Sequence, residues 1–88
     1  MTAQELRPKI RQFIVSHFYV PSPEELADDA SLLDAGVVDS TGVLEVISFI
    51  EGEYGIKVED AEMVPENLDS IAHISAFVAR KTTSLTAA

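Results

Sequence analysis

This sequence predicts an all-α fold: a small bundle of three main helices plus one or two short ones. Three observations carry that prediction. Apolar residues recur at helical spacing in three stretches: Leu6, Ile10, Phe13 and Ile14 with His17; Val43, Val46, Ile47, Ile50 and Tyr54; and Ile71, Ile74 and Val78 flanked by Phe77. The alternating trio Ile56-Lys57-Val58 is too short and too isolated to build a sheet. The length of 88 residues is that of one domain. Residues 1–81 are expected to form it, with 82–88 as a frayed tail of little structural signal.

Taken in order, Thr2-Ala3-Gln4-Glu5 has the form of a capping box, but Pro8 would then lack a backbone donor inside the helix. The first helix can therefore start anywhere from Thr2 to Arg7, and it should end near Tyr19, before Pro21. His17 falls on its apolar face in the last turn, where a ring that packs and bonds a free carbonyl or a neighbouring group is the simplest reading. Ser22-Pro23-Glu24-Glu25 reads as an N-cap, a first-position proline and a capping-box Glu, opening a helix of one or two turns that runs to about Asp28. Residues 29–39 form a long connection, anchored by Leu32 and Leu33, with Gly36 available for a positive φ. Connections of this length are often functional.

Asp39 and Ser40 are both good N-cap residues, so the second main helix starts at one of them and runs to Tyr54, where Gly55 can stop it in a left-handed cap. Its outer side carries Thr41, Leu44, Glu45, Ser48 and Glu51, a polar strip interrupted by one large aliphatic. Gly42, in the first turn, permits either close approach by another molecule or tight packing inside the protein. Beyond it, Ile56-Lys57-Val58 pins the next loop to the core, and Glu59 to Glu62 is irregular or weakly helical. Pro65-Glu66-Asn67-Leu68 forms a single turn. Asp69 and Ser70 offer an N-cap for the last helix, Arg80 and Lys81 suit its C-terminal end, and His73 lies on its polar side.

Composition narrows function. There are no cysteines, so any thiol chemistry must be brought in on a prosthetic group. The spacing of Asp28, Asp29, Asp34 and Asp39 does not match an EF-hand loop, and no metal site is expected. Fifteen acidic against six basic residues give a formal charge of −9, which opposes binding to nucleic acid or an anionic membrane and suits basic protein partners. No apolar stretch approaches the roughly 18 residues of a membrane span, and a soluble, cytoplasmic monomer is expected. The hydroxyl of Ser40 sits beside the unpaired N–H groups of a helix start, where an attached anion gains about 0.3–1 kcal/mol.

The run Leu32-Leu33-Asp34-Ala35-Gly36-Val37-Val38-Asp39-Ser40, the acidic helix after it, and Tyr54-Gly55-Ile56-Lys57-Val58 together resemble the acyl carrier protein family over nearly the whole chain. That resemblance implies that Ser40 accepts 4′-phosphopantetheine from coenzyme A, and that the terminal thiol holds an acyl or aminoacyl group as a thioester. It also implies a phosphopantetheinyl transferase that needs magnesium and forms its complex with help from Asp39, with no metal retained. Thr41-Gly42 departs from the Leu often found after the family's serine, which bears on which enzymes the chain serves. Thr41, Leu44, Glu45 and Ser48 are the candidate recognition surface for the transferase and for loading and processing enzymes with basic docking surfaces, because an aliphatic ringed by polar groups can anchor a contact.

The carrier reading implies no catalytic residue and no enzyme activity. It spans fatty-acid, polyketide and related secondary-metabolite biosynthesis, and the Asp-Ser-Thr-Gly start looks more like a dedicated stand-alone carrier than the housekeeping fatty-acid protein. A serine hydrolase is disfavoured, because Val38 stands where a nucleophile elbow needs Gly and no strand precedes it. An unmodified acidic helical interaction module remains the alternative, and mass analysis separates it from a carrier.

Overall fold

The computed structural model describes residues 2–87, with side chains through residue 82. Four α-helices follow in order, α1 (Ala3–His17), α2 (Ser40–Tyr54), α3 (Pro65–Leu68) and α4 (Ile71–Ala87), with 3-10 turns at Pro23–Glu25 and Asp60–Glu62. No strand occurs among the described residues. The all-α class with three main helices and short accessory turns is as the sequence predicts.

The Thr2 capping box forms: Glu5 N–H donates to Thr2 Oγ1 at 3.2 Å, and Thr2 N–H donates to Glu5 Oε1 at 2.9 Å. α1 therefore takes Pro8 into its interior. The missing donor is tolerated because the helix must begin this early to bury Leu6 with Ile10 and Ile14, all at most 2% exposed. The helix stops at His17, two residues short of Tyr19, where Phe18 turns extended at φ −113° and ψ 160°.

The Ser22 box does not form. Ser22 adopts φ −135° and ψ 78° and makes no side-chain cap, and only one 3-10 turn follows, closed by Glu25 N–H to Ser22 O at 2.9 Å. Arg11 takes over the role of organising this segment. Its guanidinium donates to Pro23 O at 3.2 Å and Leu26 O at 2.5 Å, and it pairs with Asp28, drawing the chain away from a second helical turn. Asp28 is shared between Arg11 at 2.5 Å and Arg7 at 3.6 Å.

Val46, Ile47 and Ile50 of α2 and Ile71, Ile74, Phe77 and Val78 of α4 meet α1 in one core, with Leu26, Leu32, Val38, Ile56, Val58 and Leu68 of the connections closing it. Ile56 and Val58 point inward around an exposed Lys57, so the extended trio pins its loop without joining a sheet. Gly55 holds the left-handed conformation at φ 66° and ends α2, and Gly36 takes φ 73° in the long connection. Ser70 caps α4 by accepting from His73 N–H at 2.9 Å. α4 continues past Lys81 to Ala87, since no Gly or Pro follows to stop it. The tail expected over 82–88 falls from residue 83 onward on side chains outside the described residues.

α1 and α4 make the tightest helix pair. α1 and α2 meet instead through long side chains in antiparallel register, with Lys9 against Glu53, Phe13 on Phe49 and His17 against Glu45. That spacing leaves a shallow depression between them.

Candidate functional site

The site grows from the connection that delivers Ser40. Leu32, 1% exposed, is tied down by its N–H to Asp69 O at 2.7 Å, while its carbonyl accepts from Val37 N–H at 3.0 Å and Val38 N–H at 3.2 Å. Val38 is buried immediately after, so the chain is fixed one step before it rises to the surface at Asp39 and Ser40. Leu33, expected to help anchor this loop, is 42% exposed instead. Asp69 accounts for the difference: it accepts from Ser31 Oγ at 2.5 Å and from Leu33 N–H at 2.9 Å, which places the Leu33 backbone at the surface.

Asp39 is the N-cap of α2, and its Oδ1 accepts from Gly42 N–H at 2.7 Å. Ser40 is the first helical residue, exposed, with no hydrogen-bonding partner for its hydroxyl among the described residues. The N–H groups of Ser40 and Thr41 lie in the first turn, where no intrahelical acceptor exists. Gly42 is buried, and it is Phe18 that claims the space: a Cβ there would lie 2.9 Å from Phe18 Cε1 and 3.2 Å from Val38 Cγ1. Its missing side chain serves internal packing, the second of the two roles open from sequence.

Beside Ser40 opens a cleft of about 270 Å³ lined by Leu33, Val43, Met63, Val64, Pro65, Leu68 and Asp69. The wall is mostly apolar and half open to solvent. A 4′-phosphopantetheine group fits these features. Its phosphate would meet free N–H groups at a helix start, and its arm would leave from an unobstructed hydroxyl next to an apolar surface.

Thr41, Leu44, Glu45 and Ser48 are all exposed, with Leu44 at 59%, and all line the second depression, between α1 and α2. Glu51 does not join them. Its carboxylate turns inward to accept from Val58 N–H at 2.9 Å, securing the loop after α2. His17, though exposed, packs its ring on Phe13 at 5.0 Å and bonds a neighbouring group, donating from Nε2 to Glu45 Oε1 at 2.8 Å.

Sequence reasoning missed Phe49, Met63, Val64 and Asp69 as site neighbours. Met63 and Leu33, with Leu44 and Tyr19, are the exposed large hydrophobics among the described residues. Met63 and Leu33 line the cleft beside Ser40, Leu44 lines the depression between α1 and α2, and Tyr19 follows Phe18, whose ring reaches Gly42. Neither depression is lined by Lys or Arg. Arg7, Lys9, Arg11 and Lys81 are held by Asp28, Glu53 and Glu62 elsewhere. No group of three His, Cys, Asp or Glu side chains able to hold a metal occurs among the described residues, and none of their helices is long and apolar enough to cross a membrane.

A helical bundle that offers one unengaged hydroxyl at an exposed helix start, beside an apolar cleft, has the form of a scaffold for a covalently attached group. Residues 8–78 match the family described as phosphopantetheine attachment site, and the chain belongs to that family. It is similar to acyl carrier proteins from three bacteria. Identity is 26% with that of Saccharopolyspora erythraea, over 84% of this chain and 75% of that one. It is 24% with that of Thermotoga maritima, over 89% and 93%. With that of Zymomonas mobilis it is 28%, over 75% and 86%. Among solved structures, KstB-PCP in its apo form superposes with a TM-score of 0.68 at 39% identity, covering 84% of this chain and 82% of that chain. The chain is thus a carrier protein with a phosphopantetheine attachment domain, a class that works by engaging partner enzymes.

Proposed function

We propose that Ser40 is the attachment residue, and that the protein carries acyl or aminoacyl intermediates on a 4′-phosphopantetheine arm and presents them to partner enzymes, without itself being a catalyst. The observation that carries this reading is the placement of Ser40: exposed, with its hydroxyl unengaged, at the first position of a helix capped by Asp39. When bound, the group supplies the thiol that this cysteine-free chain lacks and holds the cargo as a thioester.

The chain's own residues supply position. Asp39 keeps the first turn closed so that the Ser40 hydroxyl projects in one direction, and Leu32 and Val38 keep the preceding segment from moving. The cleft edged by Leu33, Val43 and Met63 offers apolar surface to whatever the arm carries. Asp39 is also the residue that assists the transferase complex, with the magnesium belonging to that enzyme's reaction. Thr41, Leu44, Glu45 and Ser48 are the partner-facing surface: an exposed Leu beside a carboxylate suits a partner with apolar and basic groups together. The protein acts as a monomer in the cytoplasm, in fatty-acid, polyketide or related secondary-metabolite assembly.

The test is intact mass after incubation with coenzyme A, magnesium and a promiscuous phosphopantetheinyl transferase, with Ser40→Ala alongside. A gain of one phosphopantetheine in the parent and none in the variant is expected. A folded parent that gains nothing with several transferases would instead be an unmodified acidic interaction module.

A further inference from the structure

Building on the carrier reading, we propose that the depression between α1 and α2 seats a cationic side chain of the phosphopantetheinyl transferase, and that His17 of α1 sets how readily Glu45 is given up to it. Recognition then involves α1 as well as the outer strip of α2.

Four observations lead here. The depression, about 560 Å³ and open, begins at Thr41, next to Ser40, so an enzyme resting in it has the reacting hydroxyl at its edge. Its floor is a stack of three rings: His17 on Phe13 at 5.0 Å and 18°, and Phe13 on Phe49 at 4.0 Å and 8°. Leu44 stands 59% exposed on the rim, an apolar contact with nothing covering it. Glu45 is the acidic group of the lining, half exposed, and no Lys or Arg shares the depression.

The chemistry of an occupant follows from these. A guanidinium binds a carboxylate best through both oxygens and lies well against aromatic rings. At Glu45 one oxygen is already taken by His17 Nε2 at 2.8 Å. Side chains 44% and 50% exposed form a weak pair, so an incoming arginine can displace the imidazole, but it does so against a competitor. Removing that competitor should tighten docking, and only while Glu45 keeps its charge. A partner arginine beside an aliphatic or aromatic side chain is thus the complement of Glu45 and Leu44 on a chain of net charge −9.

The experiment is a coupling measurement. Initial rates of phosphopantetheine transfer from coenzyme A, with magnesium and a promiscuous transferase, are read across carrier concentration for the parent, His17→Ala, Glu45→Gln and the double variant. Thermal unfolding of each checks the fold. His17→Ala should lower KM by about two- to fivefold and Glu45→Gln should raise it by a similar factor, with kcat of both held to within about twofold. In the Glu45→Gln background, His17→Ala should leave KM unchanged. Equal effects of His17→Ala in both backgrounds, no effect of either single variant, or loss of kcat at constant KM would overturn the inference and leave the carrier reading standing. No mass gain in the parent would overturn both.

Discussion

Phe18 Cε1 lies 2.9 Å from where a Cβ on Gly42 would be, so the ring at the end of α1 fills the gap in the first turn of α2. This contact ties the last residue before the first connection to the helix that presents Ser40. Val38 Cγ1 and Asp39 Oδ1, at 3.2 and 3.3 Å, crowd the same point. A methyl there must push a ring, a buried valine and the capping carboxylate at once. Gly42→Ala is expected to destabilise the protein by about 1–2 kcal/mol in urea unfolding, overpacking outweighing the gain in helix propensity. Gly52 is the control, in the same helix with nothing within 4 Å of its Cβ position. Gly52→Ala should stabilise by up to about 1 kcal/mol. Stabilisation by both would show that Phe18 moves aside freely.

Asp39 combines two roles that substitution can separate. As N-cap it accepts from Gly42 N–H at 2.7 Å, and Asp39→Ala should cost about 1 kcal/mol of stability, while Asp39→Asn should cost little because the amide oxygen also caps. If the carboxylate serves the transferase complex as proposed, Asp39→Asn will still slow phosphopantetheine transfer. Denaturant midpoints and transfer rates on the same samples decide this. A fully active Asp39→Asn would confine the residue to capping.

Acid sensitivity has an identifiable contributor in Glu62. The Glu59 N–H at 2.9 Å, and then Lys81 Nζ at 2.9 Å, hold its carboxyl below the ordinary value of 4.5. A carboxylate depressed in the folded state binds its proton more weakly there than in the unfolded chain. Its stabilising contribution is therefore present above about pH 4.5 and is lost as pH falls through the depressed folded value. Glu62→Gln should flatten the fall in thermal midpoint over that acid range and leave the shape near neutral pH unchanged. An unaltered acid limb in the variant would assign the sensitivity elsewhere.

Helix identity was legible because periodicity is a local property: Leu6, Ile10 and Ile14, then Val46, Ile47 and Ile50, then Ile71, Ile74 and Val78, are all buried as their spacing predicts. Caps were legible where the cap and the N–H that donates to it are neighbours, as at Thr2 and Glu5 or at Asp39 and Gly42. The Ser22 box did not form, Glu25 N–H bonding the Ser22 carbonyl instead of its hydroxyl, and Arg11, from another element, holds Pro23 O and Leu26 O, which a longer helix would need. Leu33, beside Leu32 and equally apolar, could not be told from it until Asp69 fixed which of the two faces the core.

The sequence by itself determined an acidic, cysteine-free helical chain whose Ser40 opens an amphipathic helix, and the resemblance carried by Leu32 to Ser40 and Tyr54 to Val58. These follow from composition, short-range spacing and motif. Tertiary structure decided that Phe18 occupies the gap at Gly42, that Met63 and Leu68 meet Val43 beside Ser40, that Glu51 turns inward, and that His17 reaches Glu45 across two helices. Each depends on the separation and register of elements far apart in the chain, which local spacing does not encode. The antiparallel register of α1 and α2 is set by the summed burial of the whole core, and only once it is set do these side chains become neighbours.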